Sequence, residues 1–263
     1  MASGRMEFHS RRLMQHSNFS FVLPNDVEMG EVFKPEYYER EPMNLILLHG
    51  LTGTDTDWLY GGVAQEMAIQ YNLNIFMPTT GNSFYLNKGY EGAECADFVG
   101  EELPEYIRGT FGIAMDKTNT LIGGLSMGGY GAIHTALTFP ERFGACIGLS
   151  SALHMSEWAD PVSRRQNGLL DERMLRDVFG DLDRLLETDR NPEVLVKSLK
   201  EAGTPIPKLY IACGTEDGLI ESNREFSAFL AKEGVEHIYE EGPGKHNWTF
   251  WNEYINRGLA AVL

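Results

Sequence analysis

Three side chains far apart in the chain have the types and the order needed to cleave an acyl bond: Ser126, Asp217 and His246. A serine hydroxyl is a weak nucleophile near neutrality, so it needs a base to take its proton and an acid to orient that base. Ser126 lies in Gly123-Gly124-Leu125-Ser126-Met127-Gly128-Gly129-Tyr130-Gly131, directly after the apolar pair Leu121-Ile122. Gly-x-Ser-x-Gly is the pattern of a sharp strand-to-helix turn that lifts the serine to its apex in a strained conformation. With Gly and Ser each at about 7% of residues, chance alone yields it in roughly one chain in ten of this size. Context must therefore decide: a strand before it, a helix after it, and partners downstream.

Seven histidines are available as the base: His9, His16, His49, His134, His154, His237 and His246. Only the last three follow the elbow helix. His154 precedes the final strands, and His237 falls in the alternating run Val235 to Tyr239, where a pairing or solvent-facing role fits better. His246 sits in Gly242-Pro243-Gly244-Lys245-His246-Asn247-Trp248, a loop before a closing helix, and a loop can present a base. For the acid, Asp217 lies at the C-terminal end of the predicted strand Lys208 to Ala212, where ligands gather in open parallel sheets. Glu216 is the neighbouring contender, and an Asp before Gly218 also suits an ordinary turn. The oxyanion of the transition state needs backbone donors. The amide of Met127 is one; the other is expected from His49-Gly50-Leu51-Thr52-Gly53, Leu51 first and Gly50 second, although these glycines also suit a tight turn.

Such residues need a scaffold, and the apolar runs supply one. Phe19, Phe21 and Leu23 alternate as an N-terminal strand, with Glu31 to Lys34 as a candidate antiparallel partner. Residues 1–5 read as an appendage, with Met6 as a natural start. Met43 to Leu48, Leu73 to Met77, Thr120 to Gly123, Phe143 to Ser150 and Lys208 to Cys213 are short, nearly continuous apolar runs, as expected of strands buried on both faces. Helical spacing links them over Asp57 to Tyr71, Glu94 to Arg108 with Pro104 as an interruption, and Met127 to Phe139. The alternation predicts an α/β fold, a mostly parallel sheet with helices on both faces. Residues 152–204 hold no convincing strand and read as a small helical insertion, either a cap over a pocket or helices packed at the sheet edge.

Length permits one large core, so a single domain over 1–263 is expected. Thirty-eight acids against 22 bases give a net charge of −16 with no basic stripe, which disfavours nucleic acid as a partner and repels strongly anionic substrates at long range. There is no apolar run of spanning length and no apolar signal core, so no membrane association is expected. Cys95, Cys146 and Cys213 are far apart and odd in number, which suits reduced buried thiols and a cytoplasmic location. Metal, redox and nucleotide motifs are missing, so no cofactor is expected. Nothing decides between a monomer and a homo-oligomer.

Five stretches carry a resemblance: HGLTGTDTDW (49–58), FMPTTGNSFY (76–85), GGLSMGGYGA (123–132), CGTEDGL (213–219) and GKHNWTFW (244–251). On these the chain resembles the esterase D-like group of α/β-hydrolases, nearest the bacterial tributyrin esterase branch. The resemblance implies a cofactor-free serine carboxylesterase for short acyl chains, with Ser126, Asp217 and His246 as triad and Leu51 and Met127 at the oxyanion hole. S-formylglutathione hydrolases share the group but typically show SGLTC and HSMGGHG where this chain has HGLTG and LSMGGYG, which lowers the thioesterase reading. Acetylxylan and feruloyl esterases are also similar, so a carbohydrate ester is an alternative substrate. Trp58 and Trp158, with Phe84 and Tyr85, are candidates to line a substrate pocket, though aromatics are more often core. A noncatalytic binding protein on the same fold is disfavoured because all three triad members are present.

Overall fold

The computed structural model describes residues 1–28, 30, 35–163 and 170–263. Its strands are β1 (Ala2–Ser10), β2 (Gln15–Leu23), β3 (Met43–Leu48), β4 (Leu73–Pro78), β5 (Thr120–Leu125), β6 (Ala145–Leu149), β7 (Lys208–Gly214) and β8 (His237–Gly242). They form one eight-stranded sheet in the order β1-β2-β4-β3-β5-β6-β7-β8. The hairpin β1–β2 joins β4 antiparallel, and every later pairing is parallel.

Successive side chains of a strand point to opposite faces, so a strand covered on both faces must be apolar at every position. Leu45 and Leu47 of β3 and Ile75 and Met77 of β4 enter the core on one face, while Ile46, Leu48 and Phe76 enter the core on the other. The first face is covered by α1 (Asp57–Tyr60), α2 (Ala64–Tyr71) and, from the far end of the chain, α10 (Trp248–Val262). Covering the second are α3 (Cys95–Asp97), α4 (Leu103–Phe111), α5 (Met127–Thr138), α6 (Met155–Ala159), α7 (Glu172–Phe179), α8 (Pro192–Ala202) and α9 (Ile220–Lys232). A mostly parallel sheet with helices on both faces is the α/β-hydrolase architecture expected from the sequence.

Several boundaries differ from those expected, each for a local reason. Residues 2–5, read from the sequence as an appendage, form the first half of β1, and Arg5 makes a two-pronged ion pair with the buried Asp55. The expected helix over 57–71 is broken at Gly61-Gly62, where the backbone packs so closely that a Cβ at Gly61 would run into the Trp248 ring and one at Gly62 into Trp58. Pro104 does not end the helix around it. It occupies the first turn of α4, after a π-helical turn over Phe98–Glu102 that absorbs the missing proline N–H. The strand expected at 31–34 lies outside the described residues, as does the 164–169 part of the 152–204 segment. The described remainder of that segment is helical, including a 3-10 turn at Leu182–Glu187.

α5 carries a buried histidine. His134 donates through Nε2 to the Asp189 carbonyl at 3.1 Å, and burial pushes its pKa down to about 4. Its ring is thus neutral in the folded protein while the unfolded chain takes up a proton near pH 6.5. Stability from this group is complete above pH 6.5 and lost as pH falls toward 4, because protons then bind the unfolded state preferentially. Urea unfolding of wild type and His134→Gln at pH 7 and pH 5 checks this: the wild type should lose about 2 kcal/mol more than the variant between the two.

Candidate active site

Ser126 occupies the single residue between β5 and α5, at φ 57 and ψ −119, a region costly for any residue with a Cβ. Glycines make the bend possible. A Cβ at Gly124 would overlap the Gly128 backbone, and one at Gly128 would overlap the carbonyls of Leu48 and His49. Strand β5, helix α5 and the end of β3 are therefore in backbone contact. The Ser126 amide donates to Leu149 O at 2.9 Å, and its carbonyl accepts from Tyr130 and Ala152.

His246 and Asp217 reach Ser126 through two loops that press together. Thr215 N donates to Gly242 O and Glu216 N to Gly244 O, both at 2.9 Å, and a Cβ at Gly214 would strike Gly244. His246 Nε2 lies 3.0 Å from Ser126 Oγ, and its Nδ1 lies 2.9 Å from Asp217 Oδ2. A carboxylate only accepts, so Nδ1 carries the proton and bare Nε2 accepts from the serine hydroxyl. Trp251 meets the imidazole edge-on at 4.9 Å, and its Nε1 donates to Ser150 Oγ. Burial opposes charge on Asp217, but hydrogen bonds from His246 and the Leu219 amide outweigh it and hold the carboxyl below its usual range. Neighbouring Cys213 is pushed up to about 12, mainly by burial, and stays a thiol.

The alternatives left open by the sequence separate cleanly. Glu216 is exposed whereas Asp217 is buried. His237 donates from Nδ1 to Val235 O and accepts from Ser227 through Nε2, remote from Ser126. His154 does border the site, but its Nδ1 lies 2.9 Å from Glu157, and burial lowers its pKa despite that carboxylate.

A cavity of about 280 Å³ opens over Ser126, with Leu51, Met127, Phe84, Ala152, Trp158 and Leu170 among its walls. Both residues expected at the oxyanion hole thus line the same cavity as Ser126. Met127 is the first residue of α5, where a helix has no internal acceptor for its N–H. Trp158 packs against Phe84 at 5.5 Å and Phe179 at 4.8 Å, closing one end. Trp58 is not in this wall. It is fully buried in the core on the opposite face of the sheet, with Nε1 donating to Leu48 O, so the expectation of a pocket role is corrected. Tyr85 is likewise buried, and its hydroxyl donates to His49 O at 2.9 Å. Five of the seven non-glycine residues with positive φ among the described residues border this region: Thr52, Phe84, Tyr85, Ser126 and Ser150. Among the described residues no group of three or more His, Cys, Asp or Glu side chains could hold a metal ion.

Fold and site together define a serine hydrolase. The chain belongs to the esterase family described as "Putative esterase", whose family model matches residues 10–262. It is 38% identical over 255 residues to an acetyl esterase of Caldicellulosiruptor saccharolyticus, covering 97% of this chain and 96% of that protein. Among solved structures it is similar to the substrate-bound fluorophosphonate-binding serine hydrolase F of Staphylococcus aureus, at 27% identity and TM-score 0.84, covering 99% and 98% of the two chains. An S-formylglutathione hydrolase of the same organism matches at 27% identity and TM-score 0.83 over the same shares. The protein is therefore a carboxylic ester hydrolase.

Backbone contact at the elbow sets a measurable expectation. Gly128→Ala should cost at least about 2 kcal/mol, because two carbonyls rather than a rotatable side chain stand in the way. Thermal melting would show this as a drop of several degrees, and an unchanged melting temperature would refute the close-contact account.

Proposed function

We propose that the protein hydrolyses short-chain acyl esters, acetyl esters foremost, through an acyl-enzyme on Ser126. The observation that carries this is the relay Ser126–His246–Asp217 at the floor of a small, largely apolar cavity. His246 Nε2 takes the Ser126 proton as Oγ attacks the ester carbonyl, and the amides of Met127 and Leu51 receive the oxyanion. The tetrahedral intermediate collapses, and His246 returns the proton to the leaving alcohol. Water then enters, gives its proton to His246, attacks the acyl carbon and releases the acid with Ser126 restored. Asp217 stays ionised and holds the imidazole in its working tautomer.

Substrate size follows from the walls. Trp158, Phe84 and Leu170, which line a cavity of about 280 Å³, in this reading favour a short acyl group over a longer chain. In this reading the whole chain works as one domain, with 152–204 as an insertion that supplies Trp158 and Leu170 to the cavity. The alcohol is a small-molecule or carbohydrate hydroxyl, and tributyrin-type triesters fall within the same class. No nucleic acid or membrane partner is needed, no helix among the described residues is long and apolar enough to span a membrane, and the free, buried cysteines suit a cytoplasmic setting. Resemblance to S-formylglutathione hydrolases supports a second reading, thioester hydrolysis, against which the net charge of −16 repels an anionic thiol carrier.

Ser126→Ala should lower p-nitrophenyl acetate turnover by at least about 10⁴-fold without changing the circular dichroism spectrum; retained turnover would reject the assignment. Specificity constants across nitrophenyl acetate, butyrate and octanoate, methyl ferulate, acetylated xylan and S-formylglutathione should peak at acetate or butyrate. In Trp158→Ala the octanoate-to-acetate ratio should rise about tenfold, since accommodating even one further methylene of the longer chain is worth ~1 kcal/mol or more.

A further inference from the structure

The loop after β3 presents Leu51 to the cavity, yet no side chain needs to touch the Leu51 amide to aim it. Three neighbouring peptide groups are each tied by a side chain. Tyr85 Oη donates to His49 O at 2.9 Å, the His49 ring meets Gly50 O at 2.7 Å, and Thr52 N donates to Asn82 Oδ1 at 2.7 Å. Gly50 O also accepts from Gly53 N at 3.1 Å. A carbonyl only accepts, so His49 Nδ1 is the protonated nitrogen, and bare Nε2 accepts from Thr80 N at 3.3 Å. Both ring nitrogens are therefore used by the backbone.

The geometry points to His49, braced by Tyr85, as a positioning residue that aims the Leu51 amide at the substrate oxyanion by clamping the carbonyl of the same peptide. A peptide unit is planar, and in its trans form the N–H points opposite to the C=O. Holding Gly50 O against the His49 ring and Gly53 N thus turns the Leu51 N–H the other way, toward the side where the elbow packs. Gly50 is in contact there: a Cβ on it would lie 3.6 Å from Ser126 Cβ. Burial keeps the imidazole neutral, which preserves one donor and one acceptor nitrogen for these two bonds. An oxyanion donor works because it is already oriented when charge develops, so freeing this peptide to rotate should raise the barrier without weakening substrate binding.

This inference rests on the esterase reading, and the test separates the two. Wild type, His49→Leu, His49→Gln, His49→Asn and Tyr85→Phe would be compared on p-nitrophenyl acetate, with Ser126→Ala as blank and thermal melting as fold control. Asparagine places an N–H where His Nδ1 stands, whereas glutamine reaches only toward Thr80 and keeps the volume. His49→Leu and His49→Gln should lose about a hundredfold in kcat with KM within about twofold, and His49→Asn should recover about tenfold of that loss. Folded His49→Leu with kcat within about threefold of wild type, or asparagine no better than glutamine, overturns the proposal. Should the His49 variants not fold, Tyr85→Phe decides: a tenfold drop in kcat supports the clamp, and unchanged kcat overturns it. An inactive wild type overturns the esterase reading and the clamp together.

Discussion

A single backbone conformation governs this molecule: the left-handed twist at Ser126, held between a parallel strand and the helix that follows it. Without that twist the hydroxyl would lie within the sheet edge, out of reach of an imidazole from another loop. The twist survives because the chain around it leaves no other path. Gly124, Gly128 and the end of β3 touch backbone to backbone, and the Ser126 amide and carbonyl are both bonded to neighbouring segments. Strain stored at one residue is affordable only when surrounding contacts fix it, and here both cores of the sheet converge on that point. Of the other positive-φ residues outside glycine, Phe84 lines the same cavity and Thr52, Tyr85 and Ser150 lie in segments next to it, while Met14 and Asn72 sit elsewhere.

Charge is arranged with comparable economy. The protein carries a large net negative charge, yet the carboxylate that matters at the site is buried and satisfied by an imidazole and a backbone amide. Asp217 can remain ionised there because these donors replace the water it has lost. His246, by contrast, is partly exposed on a loop, the setting the proposed proton transfer to and from Ser126 calls for.

Much of this could be anticipated from the amino acids. Five of the six parallel strands were visible because burial on both faces demands uninterrupted apolar runs, the sixth, β8, because its residues alternate, and Ser126, Asp217 and His246 because loop position at the C-terminal strand ends is encoded in order and spacing. Residues 2–5 escaped because β1 lies at the sheet edge, where alternating polar residues and a glycine carry no strong pattern; only Arg5 paired with Asp55 reveals its place. Trp58 was misplaced because sequence cannot say on which face of the sheet a short helix lands. His49 went unnoticed as a working residue for a different reason. Its contribution depends on the direction of a ring nitrogen toward its own neighbour's carbonyl, a relation without any spacing signature.

The 120-residue separation between nucleophile and base also has a temporal side. At ~5–20 residues per second, a ribosome needs roughly 6–24 s to travel from the codon for Ser126 to that for His246. During that interval the nascent chain holds the Ser126 hydroxyl without the imidazole it meets in the folded protein, so on the proposed mechanism esterolytic competence waits for residue 246 rather than growing in gradually.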